Sequence, residues 1–412
     1  MHQVGDLEDA AGELRERARR YAPERYPIQH ATAQFHLGTV LLQAGRAVEA
    51  VVALRAAAAG FAPERLPVEH AKALNLLGAA MRDGGDALAA ADAFVRSAGL
   101  FAAEDQPVEE AAARFNLGLA YRDAGRDVPS VACFEQALAR FEQARLPGQA
   151  AAAARELGGA LLATGDVEAA RAALQRATDA AERAGDLASL GTACNALGLA
   201  HLAADDGAAA VAALRSAAAA HPRSVRPEGH AMAQANLGLA YERLDDAPRA
   251  RLAARQALGV PGAPPAVLAQ ARGLLARAGA GSGDLSLVLD SEPHEGWPGL
   301  VRAEVARWAD VEGDERAAAL AEWVDGLLAR ADRADALAET WLGAVLELPP
   351  AGFDLLLGGL VEDAAGRAAE DAHRVRRTVA RAMTAFQMPQ WLRLKDTLNR
   401  LAAERGQDPA WG

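Results

Sequence analysis

The chain has 412 residues, 51% of them hydrophobic, and a formal net charge of −12. That length allows two or three domains, and that acidity disfavours general nucleic-acid binding, which needs a basic surface against phosphate. No apolar run reaches the length of a membrane span and the start holds no signal-peptide core. A cytoplasmic, soluble chain is therefore expected, with Cys133 and Cys194 as reduced, small core residues and not a disulfide. Arginine almost wholly replaces lysine, which occurs only at Lys72 and Lys395.

Glycine recurs at 38, 78, 118, 158, 198 and 238, each time directly after leucine, with a strict period of 40 residues. Register kept over six units marks an internal repeat and hence an array. The first element in the chain is incomplete. Val4-Gly5-Asp6-Leu7-Glu8-Asp9-Ala10 reads like Thr164-Gly165-Asp166-Val167-Glu168-Ala169-Ala170, and Tyr21-Ala22-Pro23-Glu24-Arg25 repeats as Phe61-Ala62-Pro63-Glu64-Arg65. The chain thus opens on the second helix of a unit whose first helix is missing. This half-unit either caps the array, or the missing helix is supplied by a longer native start or by another chain, which would allow self-association.

Six full units follow. The first helix of each, helix A, opens near a proline (Pro27, Pro67, Pro107, Pro147, Pro227), absent only in the fifth unit. Proline suits the first turn, where its missing N–H costs nothing. About four turns later comes a second glycine column, Gly45, Gly85, Gly125 and Gly165, with Asp205 and Asp245 in the last two units. A left-handed residue there ends the helix. Helix B then carries a small, a large and a small residue at spacings of four and three, which is one helical stripe. The triplets begin with Ala50, Leu54, Ala57 and continue with Ala90, Phe94, Ser97 and their equivalents, until Ala254 weakens the large column in the sixth unit.

These columns resemble the tetratricopeptide repeat: Leu-Gly in helix A, a large residue three later (Leu41, Met81, Tyr121, Leu161, His201, Tyr241), then small, large and small on helix B. The resemblance covers roughly residues 5 to 258 and departs in its period, which in that family is about 34. The extra residues are expected between helix B and the next helix A. The resemblance implies an all-α solenoid in which helix A lines a concave groove for an extended peptide or partner helix. Carried over by position, the groove residues are Phe35 and His36 in the first unit, Lys72, Asn75 and Arg82 in the second, and Phe115, Asn116 and Arg122 in the third. Arg155, Asn195, Asn236 and Arg243 come from the later units. Asn116 and Asn236 stand where an amide would hold a peptide backbone, donating and accepting at once. Lys72, Arg82, Arg122 and Arg155 make a basic stretch suited to a carboxylate or acidic peptide; the competing reading pairs Arg82 and Arg122 with Asp83, Asp123 and neighbouring units. The carboxylate-clamp pattern is incomplete, because Asn75 falls where that clamp has lysine and Ala79 where it has asparagine.

His30, His70 and His230 share one column near the start of helix A. Stacked helices lie about 10 Å apart, too far to share a metal whose ligands converge within about 2 Å. Repeat packing or hydrogen bonding at the helix start is expected there, with no metal and no cofactor.

The repeat fades after Ala257. A closing helix is expected over about 266–278, and Gly279-Ala280-Gly281-Ser282-Gly283 reads as a linker. The array is then 1–258, the closing helix and linker 259–284, and a C-terminal domain 285–412. All six tryptophans fall in that domain and all four tyrosines before it. Leu320, Trp323, Val324, Leu327 and Leu328 form one helical stripe and Leu337, Trp341, Val345 and Leu348 another, so five or six helices and no sheet are expected. Acidic residues outnumber basic ones more than threefold from 285 to 366, and basic residues lead from 367. The cluster Arg374, Arg376, Arg377, Arg381 either packs on the acidic half or docks an acidic partner.

No phosphate loop, zinc-protease helix, Cys-x-x-Cys or nucleophile elbow is present, and His294 with Glu295 and His373 with Asp371 are isolated pairs. The expected protein is not an enzyme. It is a TPR-like array followed by helices, acting as a protein- or peptide-binding adaptor or scaffold. The alternatives are a peptide-gated regulator signalling through the C-terminal domain, in outline like bacterial ones, and an enzyme with a pocket between array and C-terminal domain.

Overall fold

The computed structural model describes residues 2–279 and 283–411, with side chains from residue 7 onward. The side chains of Val4, Gly5 and Asp6 and the linker residues Ala280, Gly281 and Ser282 lie outside the described residues. The described residues form helices and turns with no strand, in two compact bodies, Met1–Ala204 and Asp205–Gly412.

The first body begins with α1 (His2–Arg20). Four hairpins follow: α2 (Pro27–Gln43) with α3 (Ala47–Gly60), α4 (Pro67–Asp83) with α5 (Ala87–Ala103), α6 (Pro107–Asp123) with α7 (Asp127–Gln143), and α8 (Pro147–Thr164) with α9 (Val167–Ala184). It ends with α10 (Leu187–Ala203). Proline occupies the first turn of α2, α4, α6 and α8. α10 lacks it and is started by Asp186, whose carboxylate accepts the Ala188 and Ser189 N–H groups at 2.9 and 3.2 Å. Gly45, Gly85, Gly125 and Gly165 all take positive φ, between 69° and 87°, the left-handed geometry that turns helix A into helix B. In the second body Asp205 and Asp245 adopt the same region at 59° and 55°.

The two main columns prove to be one contact. A Cβ on Gly38 would lie 2.4 Å from Leu54, on Gly78 2.8 Å from Phe94, on Gly118 2.6 Å from Phe134 and on Gly158 2.4 Å from Leu174. Each large helix B residue is fully buried on its glycine. Close packing leaves no room for a methyl group.

The extra residues of the long period sit in two different places. After α1 and α3 they form six-residue turns, 21–26 and 61–66. After α5, α7 and α9 they lengthen helix B instead, and the connections shrink to 104–106, 144–146 and 185–186. The reason is proline. Pro23 and Pro63 disfavour helical geometry in the residue before them, whereas Ala103 and Gln143 let the helix continue. The histidine column follows the longer turn. His30 donates from Nδ1 to the Ala18 and Tyr21 carbonyls at 3.0 and 2.9 Å, and His70 to those of Ala58 and Phe61, both at 2.9 Å. Each ring clasps the carbonyl end of the preceding helix B, which otherwise lacks partners.

Consecutive helices A pack directly, α2 on α4, α4 on α6, α6 on α8 and α8 on α10, while no two helices B pack as closely. A cleft of about 450 Å³ opens between α3 and α5 above α4. The first body therefore curves with helix A on its inner side.

The second body contains α11 (Gly207–Ala220), α12 (Pro227–Arg243), α13 (Ala247–Leu258) and α14 (Pro265–Ala278). Then come α15 (Asp284–Ser291), a 3-10 turn (His294–Gly296), α16 (Trp297–Asp310), α17 (Gly313–Ala329), α18 (Ala334–Leu346), α19 (Pro350–Gly366), α20 (Ala369–Met383) and α21 (Met388–Glu404). α14 completes the sixth unit: Leu274 fills the place above Gly238 that Ala254 is too small to occupy. Beyond it, α16, α18 and α20 pack in one layer and α15, α17, α19 and α21 in the other. From residue 284 the described residues form seven α-helices, not five or six. The eight-residue α15 is too short to display a helical stripe. One hydrophobic core runs from Leu252 on α13 to Trp411, with Trp297, Trp308, Trp323 and Trp341 buried in it.

Candidate peptide-binding face

Within the first body, the expected groove residues lie on the inner, helix A side. His36 and Lys72 are exposed, and Phe35, Asn75, Phe115 and Asn116 are half-buried. Asn116 donates from Nδ2 to the Asn75 Oδ1 at 3.1 Å, which places these neighbouring columns of α6 and α4 side by side. Phe35 packs edge-on against His36 and Phe61, and Phe115 leans on Phe134. Asn195 is buried on α10.

The arginines form an alternating ladder with acids. Arg82 reaches Asp83 at 3.5 Å and Asp123 at 3.7 Å. Arg122 bonds Asp123 at 3.3 Å and also Glu156, and Arg155 bonds Glu156 at 2.6 Å. Arg82 and Arg122 thus both have acidic partners within the ladder. Glu156 was not among the sequence candidates. It is only 9% exposed, and it fixes two guanidinium groups on one carboxylate, a charge-assisted arrangement that holds them in place. Its only sequence signal is an acid in the same column as Asn116. Lys72 stands apart from the ladder on the exposed face of α4.

Asn236 and Arg243 belong to the second body. Asn236 is buried and accepts from Gln270 of α14 at 2.9 Å. Arg243 is exposed and reaches Asp205 at 3.2 Å. Beside them Arg277 holds Glu242 through two bonds of 2.8 and 3.0 Å, which keeps that carboxyl below its usual range.

Of the C-terminal basic cluster, Arg374 donates to the Leu328 carbonyl at 2.8 Å and Arg381 to Asp335 at 2.7 Å, joining α20 to α17 and α18. Arg376 lies 5.6 Å over the Trp411 ring, and Arg377 is exposed. Arg381 is thus the member of the cluster that pairs with an acid of the preceding half. A pocket lies among α13, α15, α16 and α17 of the second body. No helix among the described residues is long and apolar enough to cross a membrane.

No protein-family model matches the chain, and no curated protein matches it. Among solved structures it is similar to BtubC (BKLC) from P. vanneervenii, at 19% identity over 53% of this chain and 89% of that one, TM-score 0.45. It is similar to the apo form of RapI at 14% identity over 59% and 94%, TM-score 0.48. It is also similar to the apo form of the quorum sensor NprR from B. thuringiensis at 10% identity over 92% and 99%, TM-score 0.47. The helix hairpins, the Leu-Gly column buried under the large helix B residue and the left-handed residue between the helices carry the fold assignment. The chain is a long-period tetratricopeptide-like array continued by a two-layered stack of helices.

Proposed function

We propose that the helix A face of the first body binds an extended peptide or a partner segment, and that the protein acts as a cytoplasmic adaptor or scaffold, not a catalyst. The supporting observation is the direct contact of consecutive helices A on the inner side of the curve, with Asn116 bonded to Asn75 across two units. Rigid stacked helices there offer side chains from several units to one ligand. Lys72 supplies the exposed charge for a ligand carboxylate, Phe35 and Phe115 the apolar contacts, and the Asn116–Asn75 pair amide groups for a backbone. Because Arg82, Arg122 and Arg155 alternate with Asp123 and Glu156, the face favours a peptide with a few acidic groups over a polyanion.

Peptides selected from a random library on the whole chain test this. Lys72→Ala combined with Asn116→Ala is expected to weaken them about tenfold or more, with the melting temperature unchanged. Peptides that bind this variant as well as the wild type would move the site off the helix A face.

A second reading, the peptide-gated regulator, is favoured by the core that joins α13 to the C-terminal helices. It predicts that peptide binding alters amide exchange in α16 to α21. Unchanged exchange would leave the adaptor reading alone.

A further inference from the structure

The two acids that the arginine ladder shares between units differ in burial. Asp123 is exposed and lies 3.7 Å from Arg82, so it can turn to water when a ligand carboxylate approaches that guanidinium. Glu156 is buried on α8 and has no such escape. Its Oε1 takes Arg155 at 2.6 Å and its Oε2 takes Arg122 of α6. Each oxygen therefore already holds a charge-assisted bond.

A carboxylate arriving over α6 and α8 meets two arginines that it cannot recruit. Taking them would leave Glu156 buried without a cation, which is strongly unfavourable. Leaving them in place brings like charge up to Glu156. A backbone carbonyl or a side-chain amide meets neither penalty, because a guanidinium has five N–H donors and can serve a neutral acceptor as well. Over α4 the balance is different: Lys72 is exposed and stands outside the ladder. Without Glu156, Arg122 and Arg155 would be a bare cationic pair, the arrangement that attracts a carboxylate.

We infer that Glu156 is a specificity-determining residue of the helix A face. It bars acidic side chains from the stretch over α6 and α8 and sends a peptide's acidic residue to α4, beside Lys72. The ligand class is a peptide acidic at one end and uncharged along the rest. This rests on the binding face proposed above and adds a direction to it, with the acidic end at α4 and the neutral stretch toward α8. Exclusion of the wrong ligand charge, set by one buried carboxylate, is a common source of specificity.

The probe is the tightest peptide from the library selection on the whole chain, labelled with a fluorophore and titrated by fluorescence anisotropy. Each of its positions is replaced in turn by Asp and by Asn, and the ratio of the two dissociation constants is read. Asp and Asn differ in charge and hardly in shape. A mutation with a merely structural effect moves both constants together and leaves their ratio alone. On the wild-type chain, at least one position is expected to take Asp about tenfold or more weaker than Asn. Glu156→Gln is expected to bring that ratio to one or to invert it. Arg155→Gln, at a half-buried position, leaves Glu156 with Arg122 alone and is expected to raise the ratio. A wild-type chain with no penalised position, or a ratio unchanged in both variants, would overturn the assignment. Failure of the binding face reads differently: the selected peptides would bind the Lys72→Ala, Asn116→Ala chain as tightly as the wild type, or none would be selected, and this inference would fall with the face.

Discussion

Gly158 and Gly159 are neighbours on α8 with opposite surroundings. A Cβ on Gly158 would meet Leu174 at 2.4 Å, whereas one on Gly159 would meet nothing within 4 Å. Gly158→Ala is therefore expected to destabilise by about 1–3 kcal/mol through overpacking, and Gly159→Ala to stabilise by up to about 1 kcal/mol through helix propensity. Urea unfolding followed by circular dichroism measures both signs. Equal effects would mean that the glycine column is not a packing column. Burial pushes the Cys194 thiol up to about 11, with Glu182 adding to the rise, and raises Cys133 as well. At pH 8 the folded Cys194 is then about one part in a thousand thiolate. Its alkylation is expected to be about a hundredfold slower in the folded chain than in urea, and equal rates would contradict its burial. The Leu-Gly column could be read in the sequence because each glycine meets a large residue a fixed sixteen positions later, in all units from the first to the fourth. Glu156 could not, because an acid in a groove column says nothing until its two arginine partners are placed.

The six-residue turn with its clasping histidine is a reusable element, and the second body holds a variant of it. His230 donates to the His221 carbonyl at 3.0 Å, and His221 itself takes the place of Tyr21 and Phe61. Burial lowers the pKa of both rings; Arg226 and His230 depress His221 further, and backbone bonds partly restore His230. Both are thus neutral when folded and protonate more readily when unfolded. The unfolded state binds more protons below about pH 6.5, so stability falls as pH drops through that value and on toward the folded-state pKa. His221→Phe restores the side chain found at Phe61. The loss of Tm between pH 7.5 and 5 is expected to be smaller in this variant; an unchanged loss would place the acid sensitivity elsewhere. The array's helices were legible because proline, glycine and the helix B triplet recur. The split between turn and lengthened helix B was hidden, since it depends on a single proline at Pro63 against Ala103.

On the scale of the chain, the two bodies differ in what reports on them. All tryptophans lie beyond residue 285, so indole fluorescence follows the second body. Leu252 comes from the last array helix and is buried in the core that ends at Trp411. Leu252→Ala is expected to cost about 2–5 kcal/mol and to lower the melting point seen by fluorescence, although no tryptophan is altered. Tetratricopeptide character was readable because each helix meets its sequence neighbours. The C-terminal layers were not, because their contacts join alternate helices. Ion pairs such as Arg381 with Asp335 and Arg400 with Asp354, both 46 residues apart, become visible only once those layers are assembled.

The near-absence of lysine gives the molecule an address. Lys395 is half-buried and lies 4.7 Å over the Trp391 ring, so Lys72 is the exposed one of the two side-chain amines. An amine-directed reagent should therefore mark the inner face of the first body at one place. A fluorophore carried there would sense a peptide's arrival, and protection of that single amine would map the ligand to within a helix turn of α4.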